Sequence, residues 1–394
     1  MNKTIVFSGG SIITPTRQLK KDLVVENGTI KEIRERIDVK NGEELIDCRG
    51  LFVGPGLIDI HVHGGAGNDF ITTEAAEITR GVQYHLLQGT TSITPTALSV
   101  PLNELRASIE AAKLAQKNSN SNILGYHIEG IYLDRQFRGG HLNEYLHNPD
   151  PKEYEPLIEK YKDFITEWTL APELPGAIGL IKACKKAGIV TSAGHSQASY
   201  EQMIQAVETG LSHSTHFACV MGTLRFTALR ESTGKGFAPG VMETILLDNR
   251  LTTEVITDGF HLHKGIMELA LKCKGVDRVA LVSDAMKGVG LPDGKYFIGG
   301  QDCIVEGGIA LIKDRPEIIA SSVTPLIGML RYAYNNFGLS LTDAWTMASL
   351  TPAKIIGFDK QKGSLLEGKD ADILILDRDF NVKNVYVKGK KIIK

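Results

Sequence analysis

The chain has 394 residues, 42% hydrophobic and 23% charged, with a formal net charge of −2. That balance is ordinary for a soluble globular protein and argues against a polyanion-binding surface, so no nucleic-acid partner is expected. Five scattered cysteines with no C-x-x-C pair, no signal-peptide core at the start and no apolar run near about 18 residues predict a cytoplasmic protein without a membrane partner.

Taken in chain order, the start reads as short strands with glycine turns. "DLVVE" and "TIKEI" flank Asn27-Gly28, a dipeptide suited to a type I′ hairpin. The far end repeats the pattern in "ADILILD", "VKNVYVKGKKIIK" and the Lys388-Gly389 turn. Terminal strands this short cannot bury both faces alone, so residues 1–53 and 360–394 are expected to join as one small β-sandwich domain.

Between them, over residues 54–359, eight apolar runs alternate with amphipathic helical stretches. The runs are "LIDIHVH", "TTSITPT", "ILGYHIEG", "EWTLAPE", "IVTSAGH", "LSHSTHF", "TEVITDG" and "RVALVSDA". Alternation at this spacing predicts an α/β fold, a (β/α)8 TIM-type barrel. No nucleotide-binding glycine motif follows any of the strands.

Chemistry in such a barrel sits at the C-terminal ends of the strands. Those ends carry His61 and His63, then Glu129, His195, His216, Asp258 with His261, and Asp284. On a strand, residues i and i+2 share a face, so His61 and His63 aim at one point. One polar strand end is usually structural, but repetition on successive strands points to a metal centre.

The segments "GLIDIHVHGGAGNDF", "HIEGIYL", "RGGHLNEYL", "TLAPELPGA", "SAGHSQASYEQ", "ITDGFH" and "VSDAMKGVGLPDGKYFIGG" resemble the amidohydrolase superfamily, and within it the N-acetylglucosamine-6-phosphate deacetylases. The resemblance implies Glu129, His195 and His216 as ligands of a principal metal. A second ion would sit on His61, His63 and the shared Glu129. Zinc or iron(II) suits these ligands, one or two ions per subunit. It also implies Asp284 as the catalytic acid–base, and contacts to an amino-sugar from Gly140, His141, Cys219, Val220, Asp258, His261, Ile319 and Ala320. A homodimer is the assembly it suggests.

The family pattern breaks at three positions, two of them after His216. Cys219 stands at an asparagine position, Ile131 at a proline, and Phe237 where the family carries a phosphate-gripping arginine. Arg225, Arg230 or Lys235 could supply that contact from a shifted position. The expected reaction is removal of acetyl from N-acetylglucosamine 6-phosphate. The rivals are the same chemistry on an unphosphorylated or epimeric sugar or another small amide, a nucleobase deaminase or cyclic amidase, and an inactive binding protein on the same scaffold.

Overall fold

The computed structural model describes residues 4–35, 43–120, 122–228 and 235–392. Near the start of the chain, Thr4–Ser8 pairs antiparallel with Asp22–Glu26 and parallel with Glu43–Asp47, and Thr29–Arg34 flanks the sheet. The turn joining Asp22–Glu26 to Thr29–Arg34 places Asn27 at φ +50° and Gly28 at φ +84°. Both signs are those a type I′ turn requires, which is why the dipeptide could be read in advance. Lys388 and Gly389, at φ +47° and +70°, do the same near the other end.

A second, six-stranded sheet mixes the two ends. Its order is Lys390–Ile392, Val382–Val387, Ile373–Leu376, Phe52–Pro55, Ser11–Ile13, Gln18–Leu19. Ile5, Phe7, Leu23 and Val25 of the first sheet share one apolar core with Ile12, Val53, Ile373, Ile375 and Tyr386 of the second. The Phe7 and Tyr386 rings meet edge-on at 4.9 Å.

The middle of the chain supplies β1 (Leu57–Val62), β2 (Thr90–Ala97), β3 (Tyr126–Glu129), β4 (Ile165–Leu170), β5 (Val190–Ala193), β6 (His213–Ser214), β7 (Thr253–Val255) and β8 (Val279–Leu281). β1 to β6 form one curled parallel sheet, with Asn122–Ile123 extending β3 along β2. β7 and β8 pair in parallel with each other. The Phe217 amide donates to the Glu254 carbonyl at 2.8 Å, linking the end of β6 to β7. The Asp284 amide donates to the His61 carbonyl at 2.9 Å, and a parallel bridge joins Val62 to Ala285. Every residue of β1 and β2 is buried, as expected of strands covered on both faces.

Helices follow the strands. They are α1 (Ala75–Leu87), α2 (Leu102–Asn118), α3 (Pro151–Tyr161), α4 (Ala177–Ala187), α5 (Tyr200–Thr209), α6 (Val241–Leu247), α7 (Lys264–Lys274), α8 (Leu326–Asn336), α9 (Leu341–Met347) and α10 (Leu350–Ile355). α5 shows how locally they are specified. Ser199 and Gln202 exchange a full capping box at its start, and Met203, Ala206 and Val207 form its buried stripe. No helix among the described residues is long and apolar enough to cross a membrane.

One element was absent from the expected alternation. Between β8 and α8 an antiparallel sheet of Gly294–Ile298, Gln301–Glu306, Ile309–Ile312 and Arg315–Ser322 is inserted. Its signals are present in the sequence. Gly299-Gly300 and Gly307-Gly308 mark the turns, and Gln301–Glu306 alternates between exposed and buried positions. The insert lies over the strand ends through the bridge between Ala285 and Ser322.

Candidate active site

The geometry centres on Glu129, the last residue of β3, which is 2% exposed. Its Oε1 lies 3.1 Å from His195 Nε2 and 3.0 Å from His216 Nε2. Its Oε2 lies 3.5 Å from His61 Nε2 and 3.4 Å from His63 Nε2. Asp284 Oδ1 approaches His63 Nε2 at 3.0 Å and His61 Nε2 at 3.7 Å. Residues from β1 and β3 and from the segments just after β1, β5, β6 and β8 therefore meet within one space.

The tautomers follow from the other ring nitrogens. His195 Nδ1 faces the Phe137 carbonyl at 3.1 Å and His63 Nδ1 faces the Thr96 carbonyl at 3.3 Å. A carbonyl can only accept, so both Nδ1 atoms carry the proton. His61 Nδ1 stands 2.9 Å from the Glu254 carboxylate, which likewise accepts. His195 and His63 turn an Nε2 lone pair toward Glu129 and Asp284, the arrangement of carbonyl-oriented ligands. His61, against its burial, is held well above its usual pKa by the carboxylates of Glu254 and Glu129, so its Nε2 would offer a lone pair once a cation takes the place of that proton. His61 Nε2 and Glu129 Oε2 are buried without a hydrogen-bond partner among the described residues. Lone pairs and carboxylate oxygens converging in a water-poor space repel one another unless a cation lies between them, so the donor set fits a divalent metal ion.

The electrostatics agree. Burial works against ionisation of Glu129, yet the surrounding imidazoles, His61 foremost, hold it well below the usual carboxylate range. Burial pushes His195 down to about 4, which keeps that imidazole neutral and able to ligate. Asp284 is buried too, but its bond with His63 and the nearby charge of His61 keep it below its ordinary value. It is therefore an ionised carboxylate, ready to accept a proton.

Asp284 also has an unusual backbone, at φ +46°. The pose is fixed by its amide bonded to His61, and by the Ser322 amide and the Ser321 hydroxyl bonded to its carbonyl. Val220 is likewise left-handed, at φ +48°. Such a backbone is strained for a β-branched residue, and this one lines the cavity.

Gly140, His141, Cys219, Val220, His261, Ile319 and Ala320 border the cavity with Glu129, His63, His195, His216 and Asp284. Asp258 does not. It stands behind His261, with Oδ2 2.7 Å from His261 Nδ1. The Ser99 amide donates to His141 Nδ1 at 3.1 Å, so a neutral His141 carries its proton on Nε2 and presents a donor. Burial pushes the Cys219 thiol up to about 12, leaving it un-ionised. Ile131 is packed in the apolar core, away from the cavity. Phe237 is 71% exposed and borders no part of the cavity. Arg230 and the side chains of Arg225 and Lys235 lie outside the described residues.

A reading confined to strand ends passes over residues deeper in the strands. Glu254 orients His61, and Glu167, His213 and His127 lie beside it, all fully buried. Their signal was a charged or imidazole residue inside an otherwise apolar run.

Comparison with known proteins agrees with this geometry. The model of the amidohydrolase family matches residues 52–392. The chain belongs to the amidohydrolase family. It falls among the N-acetylglucosamine-6-phosphate deacetylases of that family. It is 30% identical to the N-acetylglucosamine-6-phosphate deacetylase of Vibrio furnissii over 381 residues, which cover 95% of this chain and 92% of that one. It is also 30% identical to the N-acetylgalactosamine-6-phosphate deacetylase of Escherichia coli O157:H7, over 85% of this chain and 86% of that one. The crystal structure of N-acetylglucosamine-6-phosphate deacetylase from Pasteurella multocida superposes with a TM-score of 0.91 at 29% identity, covering 99% and 100% of the two chains.

Proposed function

We propose that this amidohydrolase removes the acetyl group from N-acetylglucosamine 6-phosphate, giving glucosamine 6-phosphate and acetate. The observation that carries this reading is the convergence of four imidazoles and Asp284 on Glu129, in a chain whose relatives are sugar-phosphate deacetylases. We take the links from β6 to β7 and from β8 to β1 as closing a (β/α)8 barrel over residues 54–359. Residues 1–53 and 360–394 form the small β-sandwich domain.

Glu129, His195 and His216 would hold a divalent ion, zinc or iron(II), and His61 and His63 a second one that shares Glu129. Such ions polarise a carbonyl and lower the pKa of water to about 7. Asp284 removes a proton from the attacking water as its oxygen bonds to the acetamide carbon. The protonated Asp284 then gives that proton to the amine nitrogen as the C–N bond breaks. The Nε2–H of His141 donates to the carbonyl oxygen where negative charge develops. Asp258 holds His261 with its Nε2 free for a sugar hydroxyl or phosphate.

For the phosphate we assign Arg138 and Arg315 in place of the arginine replaced by Phe237. Arg315 donates to the Gly139 carbonyl at 3.0 Å and Arg138 to the His141 carbonyl at 2.6 Å, on the loop that borders the cavity. Burial, and the charge of Arg315 close by, lower the pKa of Arg138. Neither guanidinium pairs with a carboxylate among the described residues, so an anion would relieve their repulsion. Arg138→Ala and Arg315→Ala should each raise KM for the phosphorylated sugar about 10-fold or more, a loss near 1.4 kcal/mol. The rate on plain N-acetylglucosamine should fall much less, by what loosening the loop of Gly139 and His141 costs. Equal effects on both sugars would remove the phosphate role.

The galactosamine epimer is a second reading, favoured by the equal identity to the Escherichia coli relative. Acetate release by the metal-loaded protein on both 6-phosphates and on plain N-acetylglucosamine tests all of these. No release from any of them would overturn the assignment. We take the protein to work as a cytoplasmic homodimer, which sedimentation equilibrium of the purified protein checks for assembly.

A further inference from the structure

Deeper inside the curled sheet, Glu167 of β4, His213 of β6 and Glu254 of β7 converge, each 0% exposed. One ligand-type atom from each lies within 4.8 Å of the others. Three atoms there are buried with no hydrogen-bond partner among the described residues: Glu167 Oε2, His213 Nε2 and Glu254 Oε1. The remaining polar atom of each side chain is already engaged. Glu167 Oε1 accepts from the Ser192 hydroxyl. Glu254 Oε2 accepts from His61 Nδ1 at 2.9 Å and from the His216 amide at 3.0 Å.

His213 fixes the chemistry. Its Nδ1 lies 2.7 Å from the Thr252 hydroxyl, and that hydroxyl gives its own proton to the Ser212 carbonyl at 3.2 Å. Nδ1 must therefore donate, and in the neutral ring Nε2 presents a lone pair. That lone pair stands 3.6 Å from Glu254 Oε1 and 4.0 Å from Glu167 Oε1. Both separations exceed the about 2.7–2.9 Å of a charge-assisted N–H···O bond. The first lies close to the about 3.4 Å between two ligands on one tetrahedral ion with bonds of about 2.1 Å. The second is to the Glu167 oxygen that also accepts from Ser192, the unpartnered Oε2 being the other oxygen of the same carboxylate. A water molecule has two protons for these three acceptors and would leave one bare. A cation is accepted by all three and offsets the cost of two buried carboxylates.

We propose that Glu167, His213 and Glu254 form an inner binding site for a divalent cation of the zinc or manganese class, apart from the Glu129 centre. Glu254 touches both places. With Oε1 on the inner ion and Oε2 on His61, it becomes a rigid support for the ring that faces Glu129.

The full-length protein, stripped with a chelator and reloaded with zinc alone or manganese alone, supplies the test. Anomalous scattering from crystals at each metal's edge should give a peak between Glu167, His213 and Glu254, distinct from any peak at Glu129. Glu167→Gln keeps the Ser192 bond but removes the charge. It should bind one fewer zinc ion per chain by elemental analysis while retaining the peak at Glu129. No inner peak with either metal overturns the proposal, as does an unchanged zinc count in a folded Glu167→Gln protein. Should that variant fail to fold, the anomalous maps of the unmodified protein decide alone.

Discussion

Asp284 combines three properties that a proton shuttle needs: a carboxyl held ionised, a left-handed backbone fixed by three hydrogen bonds, and an oxygen 3.0 Å from His63. Asparagine tolerates the same backbone and keeps the side-chain volume, so Asp284→Asn isolates the loss of proton transfer. It should retain metal by elemental analysis and lose about 10²–10⁴-fold in acetate release. Normal turnover in that variant would assign the base elsewhere. At this scale the sequence was legible where ligand-type residues end apolar strands, as with Glu129 and the His61–His63 pair. Glu254 was not legible, because its partner His61 lies 193 positions away and the closure of the sheet alone brings them to 2.9 Å. The Arg138–Arg315 pair was hidden for the same reason, one residue being in a loop and the other in the inserted sheet.

Elements specified by neighbouring residues could be read directly. The Asn27-Gly28 turn and the eight inner strands needed local pattern alone. The inserted sheet was equally local but did not fit an alternation of strands and helices. How helices join is less visible, and Lys274 shows why. Its side chain, 1% exposed, leaves the last turn of α7 to donate to the Ile245 carbonyl at 2.8 Å and the Asp248 carbonyl at 2.6 Å, at the end of α6. These are carbonyls that a helix end leaves unsatisfied. Burial, with Arg278 nearby, brings this ammonium down to about 8 from 10.5. Between those pH values the unfolded chain binds the proton and the folded one does not, so unfolding takes up a proton and stability rises with pH. Lys274→Met leaves the Ile245 and Asp248 carbonyls unsatisfied, a loss of about 1–3 kcal/mol that relief of the buried charge makes smaller near neutral pH than at about pH 10. Urea midpoints measured from about pH 8 to about pH 10 should also lose the rise that the parent shows in this window. An unchanged slope would mean that another group titrates there.

At the scale of the whole molecule, the sequence predicted that the two ends would meet, because short terminal strands had no other way to bury their apolar faces. It could not say what ties them to the inner strands, since that depends on polar contacts between distant segments. The tie is a buried cluster around Asp372, itself 6% exposed. Lys362 pairs with Asp372 at 2.8 Å and with Asp370 at 2.7 Å. Asn122, at the entry to β3, donates to the same Asp372 carboxylate at 2.9 Å, and the Lys388 amide binds its other oxygen at 2.9 Å. The Asp372 carbonyl accepts from the Gly56 amide, one residue before β1, at 2.9 Å. Burial raises the Asp372 pKa, and Lys362 is what opposes that rise. Removing the lysine alone strands a carboxylate in a dry place, so Lys362→Met should cost about 3–5 kcal/mol. The double variant Lys362→Met/Asp372→Asn leaves no charge at the buried position 372, and Asp370, which is partly exposed, keeps Lys388 at 3.9 Å. The new amide oxygen still accepts from the Lys388 amide, and Asn122 keeps its bond to the Thr91 carbonyl at 3.1 Å while giving up the one to residue 372. Its stability should therefore lie well above that of the single variant, an interaction energy of about 1–3 kcal/mol of restoring sign in a double-mutant cycle. Additive losses would show that Lys362 acts through packing or through Asp370, and that the charge of Asp372 is not what holds the two regions together.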